Sequence, residues 1–284
     1  MAETAVRVRG LRKAYKDHVA VNGLDLDIRR GEIFGILGPN GAGKSTTVEI
    51  LEGHRSRDGG EVEVLGEDPG RASRQWKSWI GIVWQNEVVS GELTVAETVR
   101  HYAQYFPDPR DLEEILHVVG LTEKAGARVT GLSGGQRRRV DVAVGVIGRP
   151  ELLFLDEPTT GFDPAARRQF WDLIRSLADD GTTIVLTSHY LDEVEALADR
   201  LAVVVGGKVV AEGDPATLGG RASAQATVSW LAPEGPREYR TDTPTGVIND
   251  LAAHFRGEIP ELTVSRPSLE DIYLGLIKEQ ETAA

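Results

Sequence analysis

The sequence predicts an α/β fold with an antiparallel β block at its start, an all-helical block in its middle and a small α+β appendage at its end. Three observations carry this reading. Apolar runs of strand length at Glu32–Leu37 and Leu152–Leu155 suit parallel strands covered on both faces. The stretch from Thr94 to Gly120 holds amphipathic helical patterns and no strand pattern. From about Pro215 the texture changes, with Pro233, Gly235, Pro236 and Pro244 punctuating short segments. The expected domains are therefore 1–215 and 216–284.

In chain order, Val6 and Val8 alternate with Arg7 and Arg9, and Leu24, Leu26 and Ile28 alternate with Asp25 and Asp27. A period of two with one wet face reads as antiparallel β. Glu32–Leu37 follows as a buried strand, then a glycine-rich turn and a helix starting near Gly43. Val62 and Val64 mark another alternating strand, and Ile80–Gln85 a buried one ending on a polar residue. Thr94 and Glu97 form a capping box that opens a helix with Val99, Tyr102, Ala103 and Phe106 on one face. Asp111–Val119 is a second helix, with Gly120 as its stop. A helix from Arg137, a helix over Pro164–Asp179, a strand over Thr182–Thr187, a helix over Tyr190–Ala198 and a hairpin around Gly206-Gly207 complete the larger part. The appendage reads as strands at Ala226–Leu231, Glu238–Thr241 and Glu261–Ser265, with helices at Gly246–Phe255 and Ser268–Glu279.

Composition narrows the function. The 284 residues carry a net charge of −12, which argues against a protein built to grip nucleic acid. There is no cysteine, so neither disulfides nor thiolate metal sites arise within the chain. No apolar run approaches the ~18 residues that span a bilayer, and Met1-Ala2-Glu3-Thr4 has no leader pattern. A cytoplasmic protein is the expectation, with any membrane role resting on a partner chain.

Gly38-Pro39-Asn40-Gly41-Ala42-Gly43-Lys44-Ser45-Thr46 fits the phosphate-binding pattern G-x-x-x-x-G-K-[ST]. A loop poor in Cβ atoms turns several N–H groups inward around phosphate oxygens, and the following helix adds its dipole. Lys44 would reach the β- and γ-phosphates and the Ser45 hydroxyl a magnesium ion. Asp156, at the carboxyl end of a strand, is the natural second ligand of that metal. Glu157 follows at once. In a strand the two side chains would point to opposite faces, but a turn at the strand end would aim Glu157 at the γ-phosphate.

Leu132-Ser133-Gly134-Gly135-Gln136 precedes a helix and offers exposed N–H groups, a hydroxyl and a helix dipole as a second anion site. By average usage such a match arises by chance in roughly one chain in a few thousand. One nucleotide would be shared if two copies met head to tail, each supplying one element.

With Leu152-Leu153-Phe154-Leu155-Asp156-Glu157-Pro158, these motifs in this order resemble those of the ATP-binding cassette transport ATPases, over residues from about 4 to about 215. The resemblance implies a P-loop NTPase core with an antiparallel β subdomain and a helical subdomain. It implies ATP and Mg²⁺ as ligands. It assigns Tyr15 to adenine stacking, Gln85 to the metal and the attacking water, Asp163 to the loop crossing a dimer interface, and His189 to the γ-phosphate. Glu157, His189 and Gln85 would then be the catalytic set, and Ser45, Gln85 and Asp156 the metal set. Two positions depart from the family pattern: Phe162 stands where Leu is usual, and Trp84 where Pro is usual.

Arg137-Arg138-Arg139-Val140-Asp141, His189-Tyr190-Leu191-Asp192-Glu193 and Pro267-Ser268-Leu269-Glu270-Asp271-Ile272-Tyr273 are similar to the single-cassette bacterial drug-resistance branch, of daunorubicin-exporter type. That likeness implies a homodimer or paired cassette, an integral membrane permease on a separate chain, a peripheral place on the cytoplasmic face of the membrane, and no nucleic acid. The arginine run read alone would suit a nucleic-acid patch. The competing reading of the whole chain is a cassette ATPase of translation or DNA repair. Such relatives join two cassettes or insert coiled coils or zinc modules, and this chain has one cassette, no cysteine and no heptad run.

Overall fold

Alternating burial draws out two long strands first. In the computed structural model, which describes residues 3–84, 92–255 and 257–283, β1 (Thr4–Tyr15) and β2 (His18–Arg29) pair antiparallel, with Val8 opposite Leu26. Val6, Val8, Leu24, Leu26 and Ile28 are buried, while Arg7, Arg9 and Asp25 face water. β3 (Ile33–Leu37) is buried along its whole length and runs through the glycine loop into α1 (Lys44–Leu51). β4 (Gly59–Val64) adds to the free side of β1, with Val62 opposite Val8.

A short helix that the sequence reading did not mark, α2 (Arg74–Ser78), comes next. Its anchor is tertiary. Trp76 is fully buried and donates its indole N–H to the Val64 carbonyl at 2.7 Å. One buried aromatic, and not periodicity, fixes this turn. β5 (Ile80–Val83) follows.

The middle block is helical, as expected. α3 (Val95–Ala103) opens on the Thr94–Glu97 capping box and ends three residues before Phe106. α4 (Leu112–Val118) is capped by Asp111, with Ile115 and Leu116 inward. α5 (Gly134–Val146) begins earlier than expected, because Ser133 caps it and takes both glycines into its first turn.

β6 (Leu152–Asp156), α6 (Pro164–Asp179), β7 (Thr183–Thr187), α7 (Leu191–Leu197), β8 (Arg200–Val205) and β9 (Lys208–Gly213) complete the main sheet, whose order is β5-β6-β7-β3-β8-β9. β3 lies parallel between β7 and β8, and β6 lies parallel between β5 and β7. The carboxyl ends of β3, β6 and β7 therefore come to one edge, where open α/β sheets hold ligands. Phe34, Phe154, Ile184, Leu186 and Phe170 are fully buried beneath that edge. Each contributes about 1.5–3 kcal/mol of burial.

The contacts divide the chain into two compact units, Met1–Glu212 and Gly213–Ala284. The second holds β10 (Ala226–Ala232), β11 (Gly235–Thr241), α8 (Pro244–Phe255), β12 (Thr263–Ser265) and α9 (Leu269–Ala283). Its antiparallel sheet has the order β11-β10-β12. Among the described residues no helix is long and apolar enough to cross a membrane.

Candidate functional site

The glycine loop leaves β3 at Leu37, and two of its glycines are required by space. A Cβ on Gly38 would lie 2.3 Å from the Val204 carbonyl oxygen. One on Gly43, at φ +100°, would lie 2.2 Å from that of Ala20. Gly43 is also the N-cap of α1, and no side chain caps this helix. The N–H groups of Lys44, Ser45 and Thr46 thus have no intrahelical acceptor. They border a cavity of about 500 Å³ lined by Tyr15, His18, Ala20, residues Asn40 to Thr46, Glu157 and His189. Unsatisfied N–H donors at a helix start suit phosphate oxygens.

Lys44 is buried, and its Nζ donates to the carbonyls of Gly38 at 2.7 Å and Pro39 at 3.2 Å. Burial pushes this ammonium below the usual lysine range, against the pull of the Glu157 and Asp156 carboxylates. An incoming polyphosphate would complete a charge that the loop now solvates with its own carbonyls.

The turn that the sequence left conditional is present. Glu157 has φ +44°, a left-handed conformation that costs a non-glycine residue about 1–2 kcal/mol. Thr187 holds it there. The Glu157 N–H donates to the Thr187 carbonyl at 3.1 Å and to its hydroxyl at 3.2 Å. The same hydroxyl donates to Asp156 Oδ1 at 2.5 Å. The turn brings Glu157 into the cavity wall, with its Oε2 3.2 Å from His189 Nδ1. His189 packs on Tyr190, ring centroids 4.0 Å apart, and the Arg167 guanidinium lies 4.6 Å from the Tyr190 ring. Behind this loop the buried Glu193 accepts from Ser188 Oγ at 2.6 Å, Thr159 Oγ1 at 2.7 Å and Trp171 Nε1 at 3.3 Å. Burial raises its carboxyl above the usual range.

Ser45 at the cavity and Asp156 beside Glu157 offer hydroxyl and carboxylate oxygens. Hard oxygen donors fit a magnesium ion that keeps waters and phosphate oxygens as its other ligands. Among the described residues no group of three or more His, Asp or Glu forms a self-contained metal cage. Tyr15 ends β1 at the cavity and is exposed, and Arg55 and Lys13 lie 5.3 and 5.6 Å from its ring centroid.

Other sequence-selected residues are elsewhere. Ser133 and Gln136 do not line the cavity. They form a capping box, with Gln136 N–H donating to Ser133 Oγ at 3.3 Å and Ser133 N–H to Gln136 Oε1 at 3.1 Å. The hydroxyl expected to face an anion is turned onto its own helix, while Ser133 and Gly134 stay exposed. Asp163 caps α6, accepting from Ala165 and Ala166 N–H at 2.9 Å each. Phe162 packs edge-on against Phe170 at 5.6 Å and lies beside Gly135. Gln85 lies outside the described residues.

The arginine run is engaged within the fold. Arg138 is buried and donates to the carbonyls of Pro158 and Asp156, both at 3.0 Å, and of Trp84. Arg139 donates to the Val119 carbonyl and Gln169, and Arg137 to the Leu132 carbonyl. Arg138 ties α5 to the ends of β5 and β6 and Arg139 ties it to α4 and α6, roles with no local signal in the sequence. Thr187 and Glu193 were missed for the same reason, since each acts through a neighbour distant in sequence.

A family model described as "ABC transporter" matches residues 21–160. The Nod factor export ATP-binding protein I of Rhizobium sp. (strain N33) is 39% identical, over 97% of this chain and 98% of its own length. This chain belongs to the ABC transporter family. It is an ATP-binding subunit of that family of ATPases. The daunorubicin resistance ATP-binding protein DrrA3 of Streptomyces coeruleorubidus is 37% identical, over 97% of this chain and 96% of that one. Among solved structures, cbiO1 from Clostridium perfringens, part of the ABC transporter complex cbiONQ, superposes with a TM-score of 0.70 at 28% identity, covering 75% of this chain and 90% of that one. The parallel sheet, the glycine loop and the flanking antiparallel and helical blocks are thus the cassette of an ABC ATPase.

Proposed function

We propose that two copies of this ABC subunit close head to tail around two ATP molecules and, by hydrolysing them, drive a separate membrane permease that exports a drug-like compound. The observation that carries the reading is the separation within one chain. The glycine loop, Glu157 and His189 share a cavity, whereas Ser133–Gln136 lies outside its wall. A second copy would supply that missing wall.

In this mechanism Gly38 to Thr46 cradle the phosphates, Lys44 exchanges its carbonyl partners for phosphate oxygens, and Tyr15 stacks on the base. Glu157, held by Thr187 in a turned conformation, orients the attacking water, with Gln85 as a second contact. His189 steadies the γ-phosphate and is kept in register with Glu157 by their contact. Ser45, Gln85 and Asp156 would hold magnesium, which when bound neutralises charge developing on the phosphates. Ser133–Gln136 and Asp163 of the opposing copy would complete the enclosure. A ligand bound best in the closed pair drives closure, and hydrolysis releases it. The helical block between Thr94 and Gly120 passes the movement to the permease on the cytoplasmic face of the membrane. The cassette occupies residues 1–215 and the accessory domain 216–284.

Export is supported by the relatives, one named for Nod factor export and one for daunorubicin resistance. The test is co-expression of the chain with any protein of about six hydrophobic spans encoded by a neighbouring reading frame, followed by purification. Expected is a complex whose ATPase is stimulated by an exported compound in vesicles. Failure of the chain to co-purify with any membrane protein, with its ATPase indifferent to membrane vesicles, would overturn the transporter part of the proposal.

A further inference from the structure

In the second unit, β11 forms the outer edge of the sheet, paired to β10 on one side and to no strand on the other among the described residues. Pro236 through Arg240 are all exposed, so among the described residues no element covers this edge. Arg237, Glu238 and Arg240 make no ion pair or side-chain hydrogen bond among the described residues, and Tyr239 is 56% exposed. Bare edge strands invite pairing, and charge normally prevents it. Here the order of the charges does the opposite.

We propose that β11 pairs antiparallel with β11 of a second copy of this chain, in the register that sets Tyr239 opposite Tyr239 of that copy. A two-fold axis perpendicular to a continuous sheet keeps opposed side chains on one face, so the register must centre on a residue. Centring on Arg237 or Arg240 sets arginine against arginine, and centring on Glu238 sets glutamate against glutamate. Like charges directly opposite oppose pairing. Of the four exposed residues other than Pro236, only Tyr239 as the centre avoids such a clash. It places Glu238 opposite Arg240 twice and Tyr239 against itself, pairs of the kinds that stabilise sheets. The ladder then runs from Arg237 to Thr241, and Pro236, which has no N–H to give, falls outside it. A five-residue ladder is short, so the pairing it gives is weak and depends on concentration. It needs no nucleotide and does not rest on the ATP-dependent pairing proposed above.

The chain has no cysteine, so a single introduced one reports on itself. Full-length Tyr239→Cys and Arg237→Cys are oxidised, with and without ATP. In the proposed register residue 239 faces its own copy within disulfide reach, while the two 237 positions lie about 13 Å apart. Tyr239→Cys should cross-link at least about tenfold faster than Arg237→Cys. Adding Glu238→Arg should slow it, and adding Arg240→Glu as well should restore it. In the unaltered chain, those amides of 237–241 that face away from β10 should gain protection from hydrogen exchange as concentration rises. Equal cross-linking at both positions, capture of other proteins instead of a second copy, no recovery in the charge-swapped variant, or concentration-independent exchange would each overturn the proposal.

Discussion

Nδ1 of His189 lies 3.2 Å from Oε2 of Glu157, across a turn that puts a glutamate in the left-handed region. This contact joins the ends of β6 and β7 at the wall of the nucleotide cavity. It depends on Thr187, whose hydroxyl and carbonyl together fix Asp156 and the Glu157 backbone.

Glu157→Gln keeps the shape and removes the base. ATP turnover should fall about 10²–10⁴-fold, with nucleotide affinity near normal. Steady-state ATPase and equilibrium binding of a fluorescent ATP analogue read the two effects separately. Near-normal turnover would remove Glu157 from that role.

Lys44→Ala removes the buried ammonium that faces the phosphates. Binding should weaken about tenfold to a hundredfold, the range of charge-assisted hydrogen bonds. The same binding assay measures it, and unchanged affinity would count against the phosphate-loop assignment.

Thr187→Val keeps volume but deletes the hydroxyl shared by Asp156 and Glu157. Stability should fall by about 1–3 kcal/mol, the cost of leaving part-buried polar groups without a partner. Turnover should fall further than the affinity for ATP. Thermal melting and ATPase kinetics check both, and a wild-type profile would show that the turn holds itself.

Glu52 gives a pH signature. Its carboxyl is buried beside His54, 3.2 Å away, and burial pushes it up to about 7, against the opposing hydrogen bonds of His54 and Trp84. The native state therefore holds a proton that the unfolded chain releases near pH 4.5. Stability contributed by this group is lost as pH rises from about 4.5 through 7, by at most about 3 kcal/mol. Melting temperature followed from pH 5 to 8 should drop more steeply in the wild type than in Glu52→Gln. Parallel profiles would refute the assignment.

Much of this fold was legible because its signals are local. Alternation in β1 and β2, the Thr94–Glu97 box and the face of α6 carrying Phe170, Leu173, Ile174 and Leu177 all rest on neighbours in sequence. The glycine loop was legible for the same reason. Trp76, Thr187, Arg138 and Glu193 were not, since each acts on a partner more than ten residues away or on a loop whose turn the sequence leaves open. Ser133 and Gln136 were read as a ligand site. Their capping box shows that one serine–glutamine pattern serves the helix in a single chain, so any contact with nucleotide has to come through its exposed first turn.

The most direct test of the central claim is the mass of the Glu157→Gln chain by sedimentation in saturating ATP and magnesium. The clamped-nucleotide account predicts a dimer that dissociates when ATP is removed and that Ser133→Arg prevents. A mass unchanged by ATP, or a dimer indifferent to Ser133→Arg, would contradict it.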